Sequence, residues 1–184
     1  SPSAIGVQLD SLADVITSGL APAAVLWQVC LQTEPCWLPE AWKLGYGVFV
    51  LAAFSALRLA KFNIDETQTV EFCGLPTPAG SLLCASLGML WQQGMLALSS
   101  DGVLLIAVLT SLLLVSPIRM FALKFHGFGW RGNEVRYLFL LASIVLIIIL
   151  RTYAIPVIIV LYIVVSAVRW LCMHSGNPDK APKA

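Results

Sequence analysis

One glycine and two aspartates, each four residues apart, stand near the start of this chain as Gly6, Asp10 and Asp14. Positions four apart share one face of an α-helix, so the pattern predicts a stripe on which the two carboxylates are neighbours. Two like charges at this distance repel each other, and a cation between them relieves the repulsion. Carboxylate oxygens are the ligands that Mg2+ and Mn2+ prefer in proteins. The spacing therefore predicts a divalent metal site where a long apolar segment begins.

The composition is that of an integral membrane protein. Hydrophobic residues make up 59% of the 184 residues, charged residues make up 11%, and the mean hydropathy is +0.86. Soluble domains carry about 25% charged residues. The formal net charge is +1 and the sequence has no basic tract with interleaved aromatic residues, so we expect no nucleic acid partner. We expect membrane lipids as partners instead.

The apolar segments predict an all-α integral membrane protein, a bundle of six transmembrane helices in this chain. Most of the segments approach the ~20 residues needed to cross ~30 Å of hydrocarbon. They cover 5–31, 42–62, 78–98, 102–121, 135–150 and 153–172. Only Arg151 and Thr152 separate the last two, and we predict a tight hairpin because one helix over 135–172 would be roughly 57 Å long. The predicted organisation is one membrane domain, 1–174, and a flexible cytoplasmic tail, 175–184.

The basic residues orient this bundle in the membrane. With the Asp10 end in the cytoplasm, nine of the eleven basic residues face inward and only Lys43 and Arg151 face outward, as the positive-inside rule requires. The nine are Arg58, Lys61, Arg119, Lys124, Arg131, Arg136, Arg169, Lys180 and Lys183. The sequence thus predicts a multi-pass protein of the cell's inner, cytoplasmic membrane with its active site on the cytoplasmic face.

Several motifs, in order along the chain, resemble one enzyme family. Gly6, Asp10 and Asp14 match the second half of the signature of the CDP-alcohol phosphatidyltransferases, which in full is Asp-x2-Asp-Gly-x2-Ala-Arg, a spacer, and Gly-x3-Asp-x3-Asp. The surrounding stretch GVQLDSLADVITSGLAP (6–22) is similar in detail to the phosphatidylserine synthase branch of that family. Also similar to this branch are RLAKFN (58–63), GLPTPA (74–79) and WRGNEVRY (130–137). The resemblance covers most of the chain.

The resemblance implies a reaction and roles for the acidic stripe. It implies that CDP-diacylglycerol and L-serine react to phosphatidylserine and CMP, with two divalent ions, Mg2+ or Mn2+, bound by four signature aspartates. Asp10 would then be a metal ligand. Asp14 would be a metal ligand and also the general base that takes the proton from the serine hydroxyl. Gly6 would contact the CDP-lipid together with Asp10, because a residue without a side chain lets the nucleotide approach the helix.

The same resemblance implies a serine site at the end of the second predicted helix. Arg58, Phe62 and Asn63 would bind serine, and the guanidinium fork of Arg58 suits a carboxylate. The alternative role for Arg58 is a membrane anchor whose charge reaches the headgroups, and the role of Lys61 stays open. Further candidates for phosphate or carboxylate contacts, with headgroup anchoring as their alternative role, are Arg119, Arg131 and Arg136. The family's habit also implies a homodimer.

The first half of the family signature is missing from this sequence. We expect its two aspartates before Ser1, on helices that would bring the complete protein to eight. Because two carboxylates are a poor cage for two divalent ions, we expect the chain as written to be inactive.

Three other interpretations stay open. The first is a sister transferase that uses another alcohol, such as glycerol phosphate or an inositol phosphate. The second is a cation-coupled membrane transporter, although transport acids lie near the bilayer midplane while Asp10 and Asp14 lie at a helix mouth. The third is an interfacial helix start, where the helix dipole favours acids, which explains Asp10 but not two acids aligned with Gly6.

Overall fold

The architecture is a bundle of helices with one small β ribbon. The computed structural model describes residues 3–38, 40–64, 71–121 and 133–176. The helices are α1 (Ala4–Val15), α2 (Ala21–Gln32), α3 (Val50–Ile64), α4 (Thr77–Gln92), α5 (Ser100–Leu114), α6 (Glu134–Leu150) and α7 (Ala154–Gly176). A π-helical turn, Ile16–Leu20, joins α1 to α2, and 3-10 turns precede α3 (Ala41–Phe49) and α7 (Arg151–Tyr153). Two strands, β1 (Glu71–Cys73) and β2 (Arg119–Phe121), pair antiparallel with Cys73 opposite Arg119.

These elements confirm the predicted all-α membrane class, and the ribbon of β1 and β2 is an addition that the sequence did not predict. Three helical stretches of the described chain are long and apolar enough to cross a membrane: Gln8–Gln32, Lys43–Ile64 and Glu134–Cys172. Helix α5 is apolar but shorter. The count of six crossings stays a prediction, as does the domain 1–174. Beyond Gly176, the predicted tail 175–184 lies outside the described residues.

The last of these stretches is a hairpin, as predicted. The ring centroids of Phe139 in α6 and Tyr162 in α7 are 5.9 Å apart. One straight helix would separate the two residues by about 35 Å. The chain turns at Arg151, whose φ of 47° lies outside the right-handed helical range.

The predicted helix 78–98 is longer than α4, because the apolar segment contains a helix stop. Gly94 adopts a left-handed conformation with a φ of 68°. The N–H of Met95 then donates to the carbonyl of Leu90 over 2.9 Å, which is the hydrogen bond that closes a glycine-terminated helix. Apolar residues continue to position 98, but the helix does not.

The predicted helix 102–121 is divided between α5 and β2. Helix α5 ends at Leu114, shortly before Pro117, whose ring and missing N–H cannot continue a helix. Residues 119–121 pair with β1 instead. The ribbon therefore ties the connection between α3 and α4 to the connection between α5 and α6.

The predicted helix 5–31 contains a register change. Pro22 offers no N–H to the carbonyl four residues earlier, and its ring crowds that carbonyl. The helix widens just before the proline, where the N–H of Ala21 bonds to the carbonyl of Ile16, five residues back. The turn adds a residue to the helix without ending it.

Hydrogen bonds between helices define two ends of the bundle. At one end, Asn63 in the last turn of α3 bonds to Ser11 in α1. We call this the ribbon end, because β1 follows α3 there. At the opposite end, the hydroxyl of Ser100 at the start of α5 donates to the carbonyl of Cys30 near the end of α2, over 3.0 Å.

The core lies where α2 packs against α4 and α5, and it includes the buried Leu26 and Cys84. An aromatic cluster extends this core toward the ribbon. Phe121 of β2 packs edge-on against Phe139 and Tyr162. The hydroxyl of Tyr162 donates to the carbonyl of Phe121 over 2.9 Å, so α7 holds β2 in place.

Candidate functional site

The acidic stripe lies in the regular part of α1, before the π-helical turn. Ser3 is the N-cap of this helix and accepts a 3.0 Å hydrogen bond from the N–H of Gly6. Gly6, Asp10 and Asp14 are all exposed. Within the described part of the chain, neither carboxylate has a hydrogen-bond or ion-pair partner. The two acids are therefore open to a ligand from solvent.

Asn63 joins the end of α3 to this helix. Its Nδ2 donates a 2.9 Å hydrogen bond to the hydroxyl oxygen of Ser11, the residue after Asp10. The structure thus brings one residue of the predicted serine site next to the acidic stripe.

Arg58 is buried in α3, six residues before the helix ends at Ile64, with 7% of its surface exposed. Its Nη1 donates to the hydroxyl oxygen of Thr77, at the start of α4, over 3.2 Å. Its Nε has no hydrogen-bond partner among the described residues. Among the described residues no carboxylate forms an ion pair with this guanidinium. A buried cation is stabilised by a counter-charge, so Arg58 can bind an anion.

A cleft of about 380 Å³ opens beside Arg58. Lys61 and Phe62 line it from α3, and Cys73 lines it from β1. The opposite wall is the chain from Leu114 to Pro117, at the end of α5. Arg58 and Lys61 bring two basic side chains to the lining of this cleft, and its size suits a small molecule.

The end of α3 divides the predicted serine site into two sides. Arg58 and Phe62, four residues apart, both line the cleft. Asn63 is the next residue, about 100° further around the helix, and it contacts α1 instead. The structure therefore groups Arg58 with Phe62, and Asn63 with the residues around Asp10.

The three further arginines are placed differently from one another. Arg119 is exposed on β2, opposite Cys73 of the cleft wall. Arg136 is buried in the first turn of α6, where its Nη1 donates to the side-chain oxygen of Asn133 over 3.0 Å. Arg131 lies outside the described residues.

Two residues that act at this end were missed by the sequence reasoning. The hydroxyl oxygen of Thr77 accepts a hydrogen bond from Arg58, and that of Ser11 accepts one from Asn63. A signal was present for both, since Thr77 belongs to the GLPTPA motif and Ser11 adjoins Asp10. Lys61, whose role was open, lines the cleft together with Arg58.

The acidic stripe has the right type of ligand for a metal ion, but it has only two of them. Asp10 and Asp14 offer the carboxylate oxygens that Mg2+ and Mn2+ prefer. The described residues contain no group of three or more His, Cys, Asp or Glu side chains that could hold a metal ion.

Comparison with curated proteins finds relatives that share one name. The chain is 34% identical over 198 residues to the CDP-diacylglycerol–serine O-phosphatidyltransferase of Mycobacterium tuberculosis. This alignment covers 98% of this chain and 66% of the relative. Proteins of the same name match from Bacillus subtilis, at 32% identity over 68% of this chain and 63% of the relative, and from Helicobacter pylori, at 29% identity over 92% and 69%. No protein-family model matches the chain. The chain thus spans about two thirds of the length of these relatives.

Proposed function

The chain belongs to the CDP-alcohol phosphatidyltransferase family, and from this premise we propose that it carries out the reaction for which its relatives are named. CDP-diacylglycerol and L-serine would react to phosphatidylserine and CMP. The serine hydroxyl oxygen forms a bond to the β-phosphorus, the bond from that phosphorus to the oxygen of CMP breaks, and the hydroxyl proton goes to a base. The order of the four motifs along the chain and the names of the relatives support this proposal.

We assign the base to Asp14. Its carboxylate is exposed on α1 and has no described partner that would compete for the proton. A base within reach of the attacking hydroxyl is the usual requirement for this proton transfer. Asp10 lies one turn earlier on the same helix.

Asp10 and Asp14 would also hold the divalent cation, Mg2+ or Mn2+. Such an ion neutralises charge on a pyrophosphate and stabilises the leaving group. Two such ions need more ligands than these two carboxylates, so we propose that the remaining ligands come from residues outside the described set. Gly6, exposed one turn before Asp10, leaves the helix surface clear for the nucleotide.

We assign serine binding to Arg58, Phe62 and Asn63. The observation that carries this assignment is the buried guanidinium of Arg58, which lines the cleft together with Lys61 and has an Nε without a described partner. The carboxylate of serine would supply a counter-charge that no described residue provides. Asn63, which donates to Ser11 beside Asp10, would contact the serine from the side of the acidic stripe.

The test of this function is CMP release by the purified full-length protein from CDP-diacylglycerol, measured with and without serine. Serine-dependent release is the expected result. Release that requires glycerol phosphate or an inositol phosphate instead would identify a sister transferase. No release with any acceptor, together with cation flux in proteoliposomes, would favour the transporter.

We propose that the ribbon end lies on the cytoplasmic side of the inner membrane. This proposal is testable with two native cysteines, because Cys73 is exposed at the ribbon end and Cys36 is exposed at the opposite end. A membrane-impermeant maleimide should label Cys36 in right-side-out vesicles and Cys73 in inverted vesicles, with the labelled peptide identified by mass spectrometry. The reverse pattern would contradict the orientation.

We further propose a homodimer, which light scattering of the purified protein would test.

A further inference from the structure

The thiol of Cys73 belongs to the wall of the cleft beside Arg58. Cys73 is the last residue of β1 and is exposed. In the ribbon it stands opposite Arg119, so these two side chains are cross-strand neighbours on one face. Lys61 lines the same cleft. The proposed reaction gives the thiol no role, although an exposed cysteine is open to modification.

A second feature of the cleft indicates what kind of molecule reaches this thiol. Arg58 lines the cleft with 7% of its surface exposed, and its Nε has no hydrogen-bond partner among the described residues. A guanidinium in this state suits a carboxylate. Arg58 and Cys73 are close enough to interact electrostatically. A small molecule whose carboxylate binds Arg58 therefore lies within reach of the thiol.

We propose that Cys73 is a modification site for small disulfides of amino acids, and that the adduct blocks the serine cleft. Cystine fits both features, because each half carries the α-carboxylate and α-ammonium groups of serine and differs only in having sulfur in place of the hydroxyl oxygen. With one carboxylate at Arg58, cystine presents its disulfide to Cys73. The cleft, of about 380 Å³, has room for the half that stays bound. This inference rests on the proposed function, which assigns serine to the cleft.

The modification is a thiol–disulfide exchange and needs no other oxidant. The sulfur of Cys73 attacks one sulfur of cystine, the S–S bond of cystine breaks, and a mixed disulfide forms between Cys73 and one half. The other half leaves as cysteine and takes up the proton that the thiol of Cys73 loses. Cys73 is thereby oxidised, and the leaving half is reduced. A thiol reductant reverses the modification.

The first experiment compares cystine with cystamine on the purified full-length protein. Cystamine has the same disulfide and ammonium groups but lacks the carboxylates, so it cannot pair with Arg58. The rates of modification are measured by mass spectrometry of the peptides, with Cys36 as the matched control because it is exposed at the opposite end of the bundle. We expect the ratio of the rate at Cys73 to the rate at Cys36 to be about tenfold higher with cystine, which corresponds to about 1.4 kcal/mol.

The second experiment asks whether L-serine protects Cys73 by competing for Arg58. At about ten times its dissociation constant, serine should slow the reaction of cystine with Cys73 by about tenfold and leave that of Cys36 unchanged. Glycerol, which has hydroxyls but no carboxylate, should protect neither thiol.

The third experiment measures what the adduct does to activity. Cystine treatment should lower serine-dependent CMP release in proportion to the fraction of Cys73 that is modified, and dithiothreitol should restore it. In Cys73→Ser, the same treatment should cause no loss. A loss in Cys73→Ser as large as that in the wild type would assign the effect to another cysteine and overturn the inference.

Modification and activity are measured separately, so the inference and the proposed function can fail separately. If cystine does not react with Cys73, or serine does not slow that reaction, the inference is overturned and the proposed function is left to the CMP assay. Full CMP release by protein modified at Cys73 would overturn the inference as well. A wild type that releases no CMP before treatment would overturn the proposed function and, with it, the block of serine turnover.

Discussion

The hydroxyl of Thr77, the first residue of α4, accepts a 3.2 Å hydrogen bond from Nη1 of Arg58, which is buried in α3. The contact gives the fork of the arginine a fixed direction toward the cleft. An arginine that served only as a headgroup anchor would instead extend its charge into solvent.

Replacing Arg58 by lysine should impair serine binding specifically. An ammonium group cannot form the paired hydrogen bonds of the guanidinium, so we expect KM for serine to rise by about tenfold or more, a loss of about 1.4 kcal/mol per tenfold. KM for CDP-diacylglycerol should change little. Thr77→Val should raise KM for serine by a smaller factor, and Thr77→Ser, which keeps the hydroxyl, should not. Equal changes in both KM values would contradict a serine site at Arg58.

Replacing Asp14 by asparagine should stop the chemical step. Loss of a general base lowers kcat by about 100-fold to 10,000-fold, and loss of a metal ligand adds to this. The measurement is serine-dependent CMP release at saturating substrates. Glu40→Gln is the matched control, because Glu40 forms an exposed ion pair with Lys43 over 2.6 Å, away from the stripe. Such pairs contribute at most about 1 kcal/mol to stability, so near-wild-type kcat is expected there. An active Asp14→Asn protein would require a different base.

Two glycines with left-handed backbones provide a test of the ribbon. Gly74 and Gly94 have φ values of 77° and 68°, so alanine at either position carries a strain of about 1–2 kcal/mol. A Cβ on Gly74 would also lie 2.3 Å from the carbonyl oxygen of Leu114, whereas a Cβ on Gly94 meets nothing within 4 Å. We expect Gly74→Ala to lower the free energy of unfolding by about 2 kcal/mol more than Gly94→Ala. Equal melting temperatures for the two variants would show that Leu114 does not lie where the fold places it.

Acid should weaken the end of the bundle opposite the ribbon. The N–H of Cys36 donates to Oδ1 of Asp101 over 2.6 Å and holds the pKa of that carboxyl below its ordinary value of about 3.9. A carboxylate with a lowered pKa stabilises the fold above that ordinary value, and this stabilisation is lost as the pH falls through the folded-state pKa. The melting temperature of the wild type should therefore fall more steeply below about pH 4 than that of Asp101→Asn. Parallel curves for the two proteins would contradict the role of Asp101.

The sequence predicted those features that depend on local pattern. Hydropathy identified the membrane class, and the short separation at Arg151 identified the hairpin. The spacing of Gly6, Asp10 and Asp14 placed them within one regular helix, which α1 confirms.

Features that depend on distant partners could not be predicted in this way. The strands have only three residues each, and β1 acquires its partner from far along the chain. Hydropathy also predicted helices that continue past Gly94 and Pro117, where the real helices have ended, because apolar residues follow both positions. Pro22 was a visible signal for the register change, but a proline alone does not tell whether a helix kinks, ends or widens. The roles of the site residues stay predictions until the variants above are measured.

The β ribbon also sets an order of events during synthesis. The N–H groups of Gly74 and Leu75 bond to the carbonyls of Ile118 and Leu113, over 3.0 and 2.9 Å. The ribosome makes the chain from its N-terminus, so these partners emerge only after α4 and most of α5 have been made. Until then, the cleft beside Arg58 has only one wall. The site is therefore completed late in translation, and a chain that stops before β2 leaves the backbone of β1 without its partner strand.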